Sequence, residues 1–599
     1  MLSALRSDNS PFSEQQIRRL QDSIGDLNPE QSQWLSGYLA GRVQDASQVA
    51  LPAQQSASLL TILYGSETGN GEALAEALAA SATQQGINAE LVSLDTFRPA
   101  GLRKLKHVVF VMSTHGEGDP PEEALDLFEY LDSDRAAKMP DLKYRVLALG
   151  DRSYQHFCQA GRKLDDRLQE LGASPFGQRV ECDVDYTASA EVWNNEVISY
   201  AREHLSAENP ISAVTRLSVV PDQPRWSRQQ PFSAHVERTQ RITASQSNKE
   251  VYHLELSLEG SGLQYQPGDA LAVWAPNDPE LVEQILERLA IRPNELVLLD
   301  DQEMTISHAL AENLEITRLT SATILSYAAA GSQSQLQTLF SKLKPALQRQ
   351  FIEQRQLIDL VEEYPSRLEA HALAELLRPL TPRSYSIASS QQLVDEEVHL
   401  TVASLSSNAI GTPRNGVASH FLNHRLDPGD KLRVFLEPNR RFRLPENRQT
   451  PIIMIAAGTG IAPYRAFMQE LESTAAGSGN APDSWLIFGN PHLRSDFLYQ
   501  KEWLNWRQTG LLTRIDTAWS RDQADKHYVQ NVLQEQAERI NDWLQRGANI
   551  YLCGSLQMGQ AVLQTLQSTL AEQRGLDTET AASLIADLRR EHRLQKDLY

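Results

Sequence analysis

Cysteine and long apolar runs are the scarcest features of this sequence. The 599 residues include three cysteines, Cys158, Cys182 and Cys553, which lie far apart. Their number and spacing exclude a disulfide framework and a cysteine-ligated metal centre, and they indicate a reducing compartment. No apolar run approaches the ~18 residues of a membrane span, and Met1–Glu14 lacks a signal-peptide pattern. We therefore expect a cytoplasmic protein that binds no metal.

Positive charge is also in short supply. The chain carries 56 basic and 77 acidic residues, which gives a net charge of −21. Such a charge argues against nonspecific binding to nucleic acid and against docking on an anionic membrane. The hydrophobic content of 41% is ordinary for a globular protein, and the length allows three or four domains.

Residues 1–57 form a polar N-terminal segment with a short apolar patch around Trp34 and Tyr38. Asn28 followed by Pro29 is typical of a helix start. The patch is too small to form a core. It predicts either a helix for oligomerisation or docking, or a helix that packs on its own chain.

Residues 58–204 alternate between apolar runs of strand length and helical patterns, which predicts a doubly wound parallel sheet. The predicted strands are Leu59–Tyr64, His107–Met112, Arg145–Leu149 and Arg179–Cys182, and the predicted helices are Glu72–Gln85 and Glu122–Leu131. Loops at 65–71, 113–118 and 149–158 leave the carboxyl ends of strands, where such sheets bind ligands.

The first of these loops, Gly65–Gly71, suits a phosphate group. It offers hydroxyls and glycine amides and it opens a helix. It lacks the lysine of a nucleoside triphosphate loop, so ATP is not expected. In the other two loops, His115 and Tyr154 could flank a flat ring. A plain turn explains any one loop, but three loops at one edge favour a ligand.

Residues 205–232 carry four prolines and predict a flexible linker. Residues 233–447 then show strand patterns at both ends of a mostly helical middle, about 279–377. This arrangement predicts a β-barrel with a helical insertion. The predicted strands are Ser233–Thr243, Val251–Leu258, Ala270–Trp274, Arg383–Ala388, Val398–Ser404 and Lys431–Leu436.

The barrel strand that begins at Arg383 carries the most informative residues. Arg383 is a fixed cation for a phosphate oxygen, Tyr385 offers an aromatic face and Ser386 offers a hydroxyl. This combination suits a flat phosphorylated ligand such as a flavin dinucleotide, although an ordinary strand edge also explains it. Gly416–Ser419 places small residues at a helix start, which makes it a second candidate phosphate contact.

Residues 450–599 return to an α/β pattern, with strands predicted at Pro451–Ala456, Ser484–Phe488, Leu512–Trp519 and Asn549–Cys553. Gly458-Thr459-Gly460 lies between a strand and a helix, as in nucleotide-binding turns. Arg521 and Lys526, with nearby hydroxyl donors, suit the 2′-phosphate of NADP; a solvated basic loop is the alternative. The end of the chain, 591–599, predicts either a frayed terminus or a docked tail.

Taken in this order, the three modules resemble the diflavin reductase family, from about residue 28 to Tyr599. The N-terminal stretch 27–38 resembles the sulfite reductase branch of that family. The matching motifs are Ser66–Gly71, Ser113–Gly116, Leu149–Cys158, Tyr265–Asp269, Arg383–Ser386, Gly416–Ser419, Gly458–Gly460, Ser520-Arg521, Lys526–Gln530, Cys553-Gly554 and Asp597–Tyr599.

The resemblance implies a flavodoxin-like FMN domain followed by a module like ferredoxin–NADP reductase, with FAD in the barrel and NADP in the last domain. The implied FMN contacts are Ser66, Glu67, Thr68, Gly69, Asn70, Gly71, Ser113, Thr114, His115, Gly116, Leu149, Gly150, Asp151, Arg152, Ser153, Tyr154, Gln155, His156, Phe157 and Cys158. The implied FAD contacts are Arg383, Ser384, Tyr385, Ser386, Thr401, Val402, Ala403, Gly416, Val417, Ala418, Ser419 and Tyr599.

For the nucleotide, the implied NADP contacts are Ser520, Arg521, Lys526, His527, Tyr528, Val529 and Gln530. The resemblance places Ser386, Cys553 and Asp597 around the point of hydride transfer. Asp597 would stabilise the positive charge that develops on nicotinamide, and Tyr599 would stack on the FAD ring.

The family implies that electrons pass from NADPH to FAD, then to FMN and then to a separate protein. The implied partner is the sirohaem and iron–sulfur subunit that reduces sulfite to sulfide. A soluble diflavin reductase serving another haem protein is a second interpretation, and only the N-terminal segment opposes it. A flavin-carrying scaffold without turnover is a third, favoured only by a loop at 555–561 that departs from the family pattern.

A run of acidic residues begins inside the second loop and continues along the predicted helix. It comprises Glu117, Asp119, Glu122, Glu123, Asp126, Glu129, Asp132 and Asp134, with no Lys or Arg between them. The run predicts either a solvated face or a docking surface for a basic patch on the electron acceptor.

Overall fold

The computed structural model describes residues 59–599, except 67–68, 115–117, 134, 151–155, 184–185, 206–225, 300, 409–410 and 479–480. The predicted N-terminal helix around Trp34 and most of the predicted linker lie outside the described residues.

The first module is a parallel sheet with helices on both faces, as predicted. Its strands are β1 (Leu60–Gly65), β2 (Ala89–Ser93), β3 (His107–Ser113), β4 (Lys143–Leu149), β5 (Ser174–Pro175) and β6 (Val180–Cys182), in the order β2-β1-β3-β4-β5 with β6 paired to β4. Its helices are α1 (Asn70–Gln84), α2 (Leu125–Asp132), α3 (Gln159–Glu170) and α4 (Thr187–Leu205). Side chains alternate along β3, so that Val108 and Phe110 join one core while Val109 and Val111 join the other.

Two strands of this module were not predicted. In β2, at the edge of the sheet, side chains are only partly buried, so the strand lacks the continuous apolar run of a central strand. β5 is only two residues long. The helix predicted at Glu122–Leu131 is divided into a 3₁₀ turn at Glu122–Ala124 and α2.

The second module is an antiparallel barrel. Its strands, in the order β12-β9-β16-β7-β8-β13, are β7 (Phe232–Arg241), β8 (Val251–Ser257), β9 (Ala270–Trp274), β12 (Arg383–Ser386), β13 (Glu397–Ala403) and β16 (Lys431–Glu437). A bridge between Ile387 and Leu400 joins the two ends of this order. The inward side chains of these strands form one buried cluster, which fixes the end of β12 that carries Tyr385 and Ser386.

Between β9 and β12 the chain forms a largely helical insertion around a core of its own. Its helices are α5 (Pro279–Leu289), α6 (Ile306–Glu312), α7 (Ser321–Ala330), α8 (Ser334–Lys342), α9 (Pro345–Glu353), α10 (Leu357–Glu363) and α11 (Ala370–Leu376). A hairpin of β10 (Leu296–Leu299) and β11 (Gln302–Thr305), which the sequence pattern did not indicate, lies within it. Later in the barrel come α12 (Gln391–Val394), the pair β14 (Ser406–Ser407) and β15 (Arg414–Asn415), α13 (Val417–His420) and a π-helical turn (Phe421–Arg425).

The third module is a parallel sheet in the order β19-β18-β17-β20-β21. Its strands are β17 (Ile452–Ala457), β18 (Ser484–Asn490), β19 (Arg514–Trp519), β20 (Asn549–Gly554) and β21 (Leu594–Leu598). Its helices are α14 (Ala462–Ser478), α15 (Leu493–Asp496), α16 (Gln500–Thr509), α17 (Val529–Glu535), α18 (Ala537–Gln545), α19 (Leu556–Arg574) and α20 (Thr578–Arg590). The terminal strand β21 decides between the two predictions for the tail: the tail is docked.

Within the described ranges, every helix is too short or too polar to cross a membrane. The fold class predicted from the sequence is confirmed: a doubly wound α/β domain precedes a barrel and a second α/β domain.

Candidate functional site

The last strand of the chain assembles a small cluster of polar side chains. In the sheet register, Cys553 of β20 lies opposite Ala456 of β17 and Asp597 of β21. Ser386, at the end of barrel strand β12, donates a hydrogen bond from Oγ to Asp597 Oδ2 at 2.6 Å. The Sγ atom of Cys553 lies 3.6 Å from the same oxygen. The structure therefore brings the three residues predicted for hydride transfer together from two modules.

Burial sets the protonation of this cluster. It raises the pKa of the Cys553 thiol, and the neighbouring Asp597 carboxylate raises it further. Cys553 is fully buried and remains a thiol at neutral pH. Burial also raises the pKa of Asp597, while hydrogen bonds from Ser386 and Cys553 oppose that shift. A carboxylate held this way can respond to positive charge that develops nearby.

Tyr599 closes the cluster on the side of the glycine turn. Its amide donates to Gly554 O at 3.0 Å, and its hydroxyl shares a 2.7 Å hydrogen bond with Thr459. Gly460 is required in this turn because an added Cβ would lie 2.1 Å from Cys553 O. The side chain of Tyr599 is exposed, which fits the prediction that its ring stacks on the FAD ring.

The predicted FAD residues line the barrel next to this cluster. Arg383 is held by Thr381 and by the buried carboxylate of Glu315, whose Oε2 lies 2.7 Å from Nη2. Glu315 also accepts hydrogen bonds from the amides of Thr317 and Arg318. The helical insertion thus orients the arginine, and the sequence alone gave no sign of this contact.

The other predicted FAD residues lie on three neighbouring elements. Ser384 is exposed and donates to Glu437, while Tyr385 and Ser386 are half-buried beside it on β12. Thr401 and Val402 are buried on β13, Ala403 ends that strand, and the Thr401 hydroxyl contacts the Tyr499 hydroxyl at 2.6 Å. The turn of Gly416, Val417, Ala418 and Ser419 begins α13, and Ser419 Oγ accepts the amide of Leu405 at 3.0 Å.

The predicted FMN site lies at the carboxyl edge of the first sheet. Gly69 adopts a left-handed conformation (φ 85°) immediately before α1, which begins at Asn70. The Gly71 amide donates to Ser66 Oγ at 3.1 Å, and the Ser66 amide donates to a Glu123 carboxylate oxygen at 2.8 Å. The loop is thus braced by Ser66 and by Glu123, a residue outside it, at the N-terminus of α1, and a helix N-terminus fits a phosphate group.

The second predicted FMN loop contains a buried hydroxyl without a partner. Thr114 Oγ1 is buried and has no hydrogen-bond partner among the described residues. Its amide is bonded to Leu149 O, which places Ser113 and Thr114 beside Leu149 and Gly150 of the third loop. A buried hydroxyl without a partner fits a site that takes a polar ligand.

Beyond Gly150, the described part of the third loop resumes at His156 and includes Phe157 and Cys158. Cys158 is buried, with Sγ 3.4 Å from Ala148 O, and burial raises its pKa to about 12. The remaining predicted FMN residues lie outside the described part of the chain: Glu67, Thr68, His115, Gly116, Asp151, Arg152, Ser153, Tyr154 and Gln155.

The predicted NADP residues follow β19 at the carboxyl edge of the third sheet. Backbone hydrogen bonds from Ser520 to Asn490 and from Arg521 to Pro491 fix the start of the loop. Arg521 and Lys526 are exposed. His527 pairs with Glu535, Tyr528 caps α17, and Val529 and Gln530 begin that helix. Two exposed cations on a fixed loop fit the 2′-phosphate predicted for it.

Two further features of the sites escaped the sequence interpretation. Glu123, predicted as part of an acidic surface, is instead largely buried against the first predicted FMN loop and pairs with Arg441 of the barrel. The correction has a physical reason: its carboxylate is the acceptor for the Ser66 amide. Asp126, Glu129 and Asp132 of the same run are exposed, as predicted.

A buried histidine pair joins the barrel to the third module. The rings of His253 and His399 lie 4.9 Å apart, edge to face. His253 Nδ1 lies 3.0 Å from the Tyr499 hydroxyl, and Arg465 Nη1 donates to His399 Nδ1 at 3.2 Å. Burial and the Arg465 cation lower the pKa of His253 to about 2 and that of His399 to about 3. Both imidazoles are therefore neutral at physiological pH.

Comparison with known proteins agrees with this arrangement of modules. Family models for Flavodoxin, for a FAD binding domain and for an Oxidoreductase NAD-binding domain match residues 62–193, 224–421 and 454–564. The chain is 43% identical, over the full length of both chains, to the sulfite reductase (NADPH) flavoprotein alpha-component of Shewanella oneidensis. It is 42% identical, over 98% of both chains, to the proteins of the same name from Yersinia enterocolitica and Serratia proteamaculans.

A flavodoxin-like module joined to a FAD barrel and a nucleotide domain defines a diflavin reductase, an oxidoreductase with FMN, FAD and NADPH as cofactors. Within that class, the chain belongs to the family of sulfite reductase (NADPH) flavoprotein alpha-components.

Proposed function

We propose that this chain is the cytoplasmic flavoprotein component of an NADPH-dependent sulfite reductase. It passes electrons from NADPH through FAD and FMN to a sirohaem and iron–sulfur subunit that reduces sulfite to sulfide. The observation that carries the proposal is that Asp597 contacts both Ser386 of the FAD barrel and Cys553 of the nucleotide domain, which joins the two modules in a chain of this family. The bound flavins supply the electron-transfer chemistry.

The protein's own residues determine binding and order. Arg521 and Lys526 hold the 2′-phosphate of NADPH, and Arg383 and the turn at Gly416–Ser419 hold FAD. Asp597 stabilises positive charge on the nicotinamide, and the nicotinamide displaces Tyr599 from the FAD ring.

The FMN contacts of the proposal are the loops at Ser66–Gly71, Ser113–Gly116 and Leu149–Cys158. The N-terminal segment, which lies outside the described residues, is proposed to mediate homo-oligomerisation.

The acceptor is proposed to dock on the exposed part of the acidic run. Asp126, Glu129 and Asp132 lie on or at the end of α2, directly after the second FMN loop. Complementary charge mainly raises the association rate of small, transient electron-transfer complexes. We therefore expect sulfide production to slow as salt rises, because the Debye length shrinks to ~3 Å at 1 M.

The test compares two acceptors. Asp126→Lys with Glu129→Lys should slow sulfide production by the reconstituted complex while sparing reduction of a small neutral acceptor. Glu191→Lys with Glu203→Lys, two exposed changes on another helix of the same module, adds the same charge and is the matched control; it should alter neither rate. A parallel fall in both activities would place the damage in FMN binding or internal transfer. Unchanged activities would show that this face is only solvated.

The competing function is a diflavin reductase for a different haem protein. Co-purification distinguishes the two, because only the sulfite reductase component should retain the sirohaem subunit. Failure to support sulfide production despite full NADPH oxidation with an artificial acceptor would refute the proposed acceptor but not the flavin chemistry.

A further inference from the structure

One side chain of the barrel module reaches into the first FMN loop. Arg441 follows β16, and its Nη1 donates a hydrogen bond to Ser66 O at 3.0 Å. Its Nη2 lies 3.1 Å from Glu72 Oε2, and the guanidinium also pairs with Glu123. The guanidinium thus contacts the first loop from a module more than 300 residues away in sequence.

The carbonyl and the two carboxylates that Arg441 contacts all belong to the surroundings of the proposed phosphate loop. Ser66 begins the predicted phosphate-binding residues, and Glu123 accepts the Ser66 amide. Glu72 lies in the first turn of α1, where Tyr64 donates to its other oxygen at 3.0 Å. The guanidinium therefore bridges a backbone carbonyl and two carboxylates at the entrance of one helix.

The charges explain why a bridge is needed. The Glu72 and Glu123 side chains are only 21% and 11% exposed, so water screens them poorly. Two such carboxylates beside a loop that takes a phosphate would repel it. Arg441 places a permanent cation between them, which offsets one of the two negative charges and so weakens that repulsion.

We propose that Arg441 is a positioning residue of the FMN site, supplied by the FAD barrel, so that FMN binding and docking of the two modules strengthen each other. The inference rests on the proposed assignment of Ser66–Gly71 to the FMN phosphate. By thermodynamic linkage, the factor by which docking tightens FMN binding equals the factor by which FMN favours docking.

The neighbouring residue is a matched control. Arg440 Nη1 also crosses between the modules, to Glu76 Oε1 at 2.7 Å. That pair is much more exposed, with side chains 66% and 41% accessible, and within the described residues Arg440 bonds to Glu76 of α1 and not to the loop. If only cross-module attraction mattered, the two arginines would have similar effects on FMN.

The first experiment measures FMN affinity in the full chain. FMN is removed, FAD is retained, and FMN fluorescence is titrated for the wild type, Arg441→Ala, Arg441→Lys and Arg440→Ala. Arg441→Ala should weaken FMN binding roughly tenfold, the scale of one lost charge-assisted contact. The FMN affinity of Arg441→Lys should fall in between, because the compact ammonium keeps the charge but lacks the planar fork that spans the carbonyl and the two carboxylates. Arg440→Ala should stay within about twofold of the wild type.

The second experiment measures linkage by small-angle scattering at low salt. Removing FMN should increase the radius of gyration of the wild type, while Arg441→Ala should already be expanded and should respond little. These results together would establish the coupling.

Equal losses in Arg441→Ala and Arg440→Ala, or no loss in either, would overturn the proposal. Loss of FAD from both Arg441 variants would also overturn it, because the residue would then serve the barrel. A wild-type chain that binds no FMN would instead refute the FMN assignment itself.

Discussion

The buried histidine pair makes stability depend on pH in a defined direction. His253 and His399 are kept neutral by burial and by Arg465, with pKa values lowered to about 2 and about 3. Their side chains are 9% and 8% exposed, so solvent offers little compensation for a charge. Lowering the pH from 7.5 to 5.5 is the perturbation that should reveal them.

The magnitude follows from proton linkage. An unfolded histidine titrates near ~6.5, so above that pH both states are neutral and the full stability is present. Below that pH the unfolded histidines bind protons, whereas the folded ones stay neutral until the pH approaches their lowered pKa values. Acidification therefore favours the unfolded state. Between pH 7.5 and 5.5, each histidine should lower the free energy of unfolding by about 1.4 kcal/mol, and the pair should lower it by about 2.7 kcal/mol. In a module of this size that corresponds to roughly 5–10 °C in Tm.

The assay is thermal unfolding of the flavin-loaded chain at the two pH values and constant ionic strength. A variant with His253→Gln and His399→Gln should be less stable than the wild type at pH 7.5. On acidification its free energy of unfolding should decline less than that of the wild type, by about the 2.7 kcal/mol that the pair contributes. His371→Gln, whose side chain is 60% exposed, is the control and should keep the wild-type decline. A double variant that declines as steeply as the wild type would refute the reasoning.

Two other predictions concern the nucleotide. Arg521→Ala should weaken NADPH binding by about 1.5–3 kcal/mol, the value of a hydrogen bond to a charged group, and should weaken NADH binding far less. Equal losses for the two nucleotides in binding titrations would contradict the 2′-phosphate assignment. Deleting Tyr599 should change the FAD absorbance spectrum and the preference for NADPH over NADH while FMN content stays constant, whereas an unchanged spectrum and unchanged kinetics would show that the ring covers nothing.

Much of the fold follows from local pattern. Strands such as Ala270–Trp274 and Asn549–Gly554 are mostly apolar, and their limits agree with prediction within a residue. Gly69 and Gly458–Gly460 allowed the predicted phosphate and nucleotide loops to be recognised in the sequence. A left-handed conformation or a close backbone approach at such a turn requires glycine. The half-buried edge strand β2 was missed because it carries no such signal.

The sequence by itself determined which chemistry the chain carries: the order of the three modules, the hydroxyl and cation groups of their loops, and the absence of a cysteine cluster. Only the tertiary structure decided which distant groups meet. Ser386 and Asp597 are 211 residues apart, and Arg441 reaches Ser66 across 375. Glu123 looks like its exposed neighbours in the sequence, yet it is buried at the FMN loop. Periodicity reports whether a side chain faces a core, but the partner of a charge depends on how separate cores pack together.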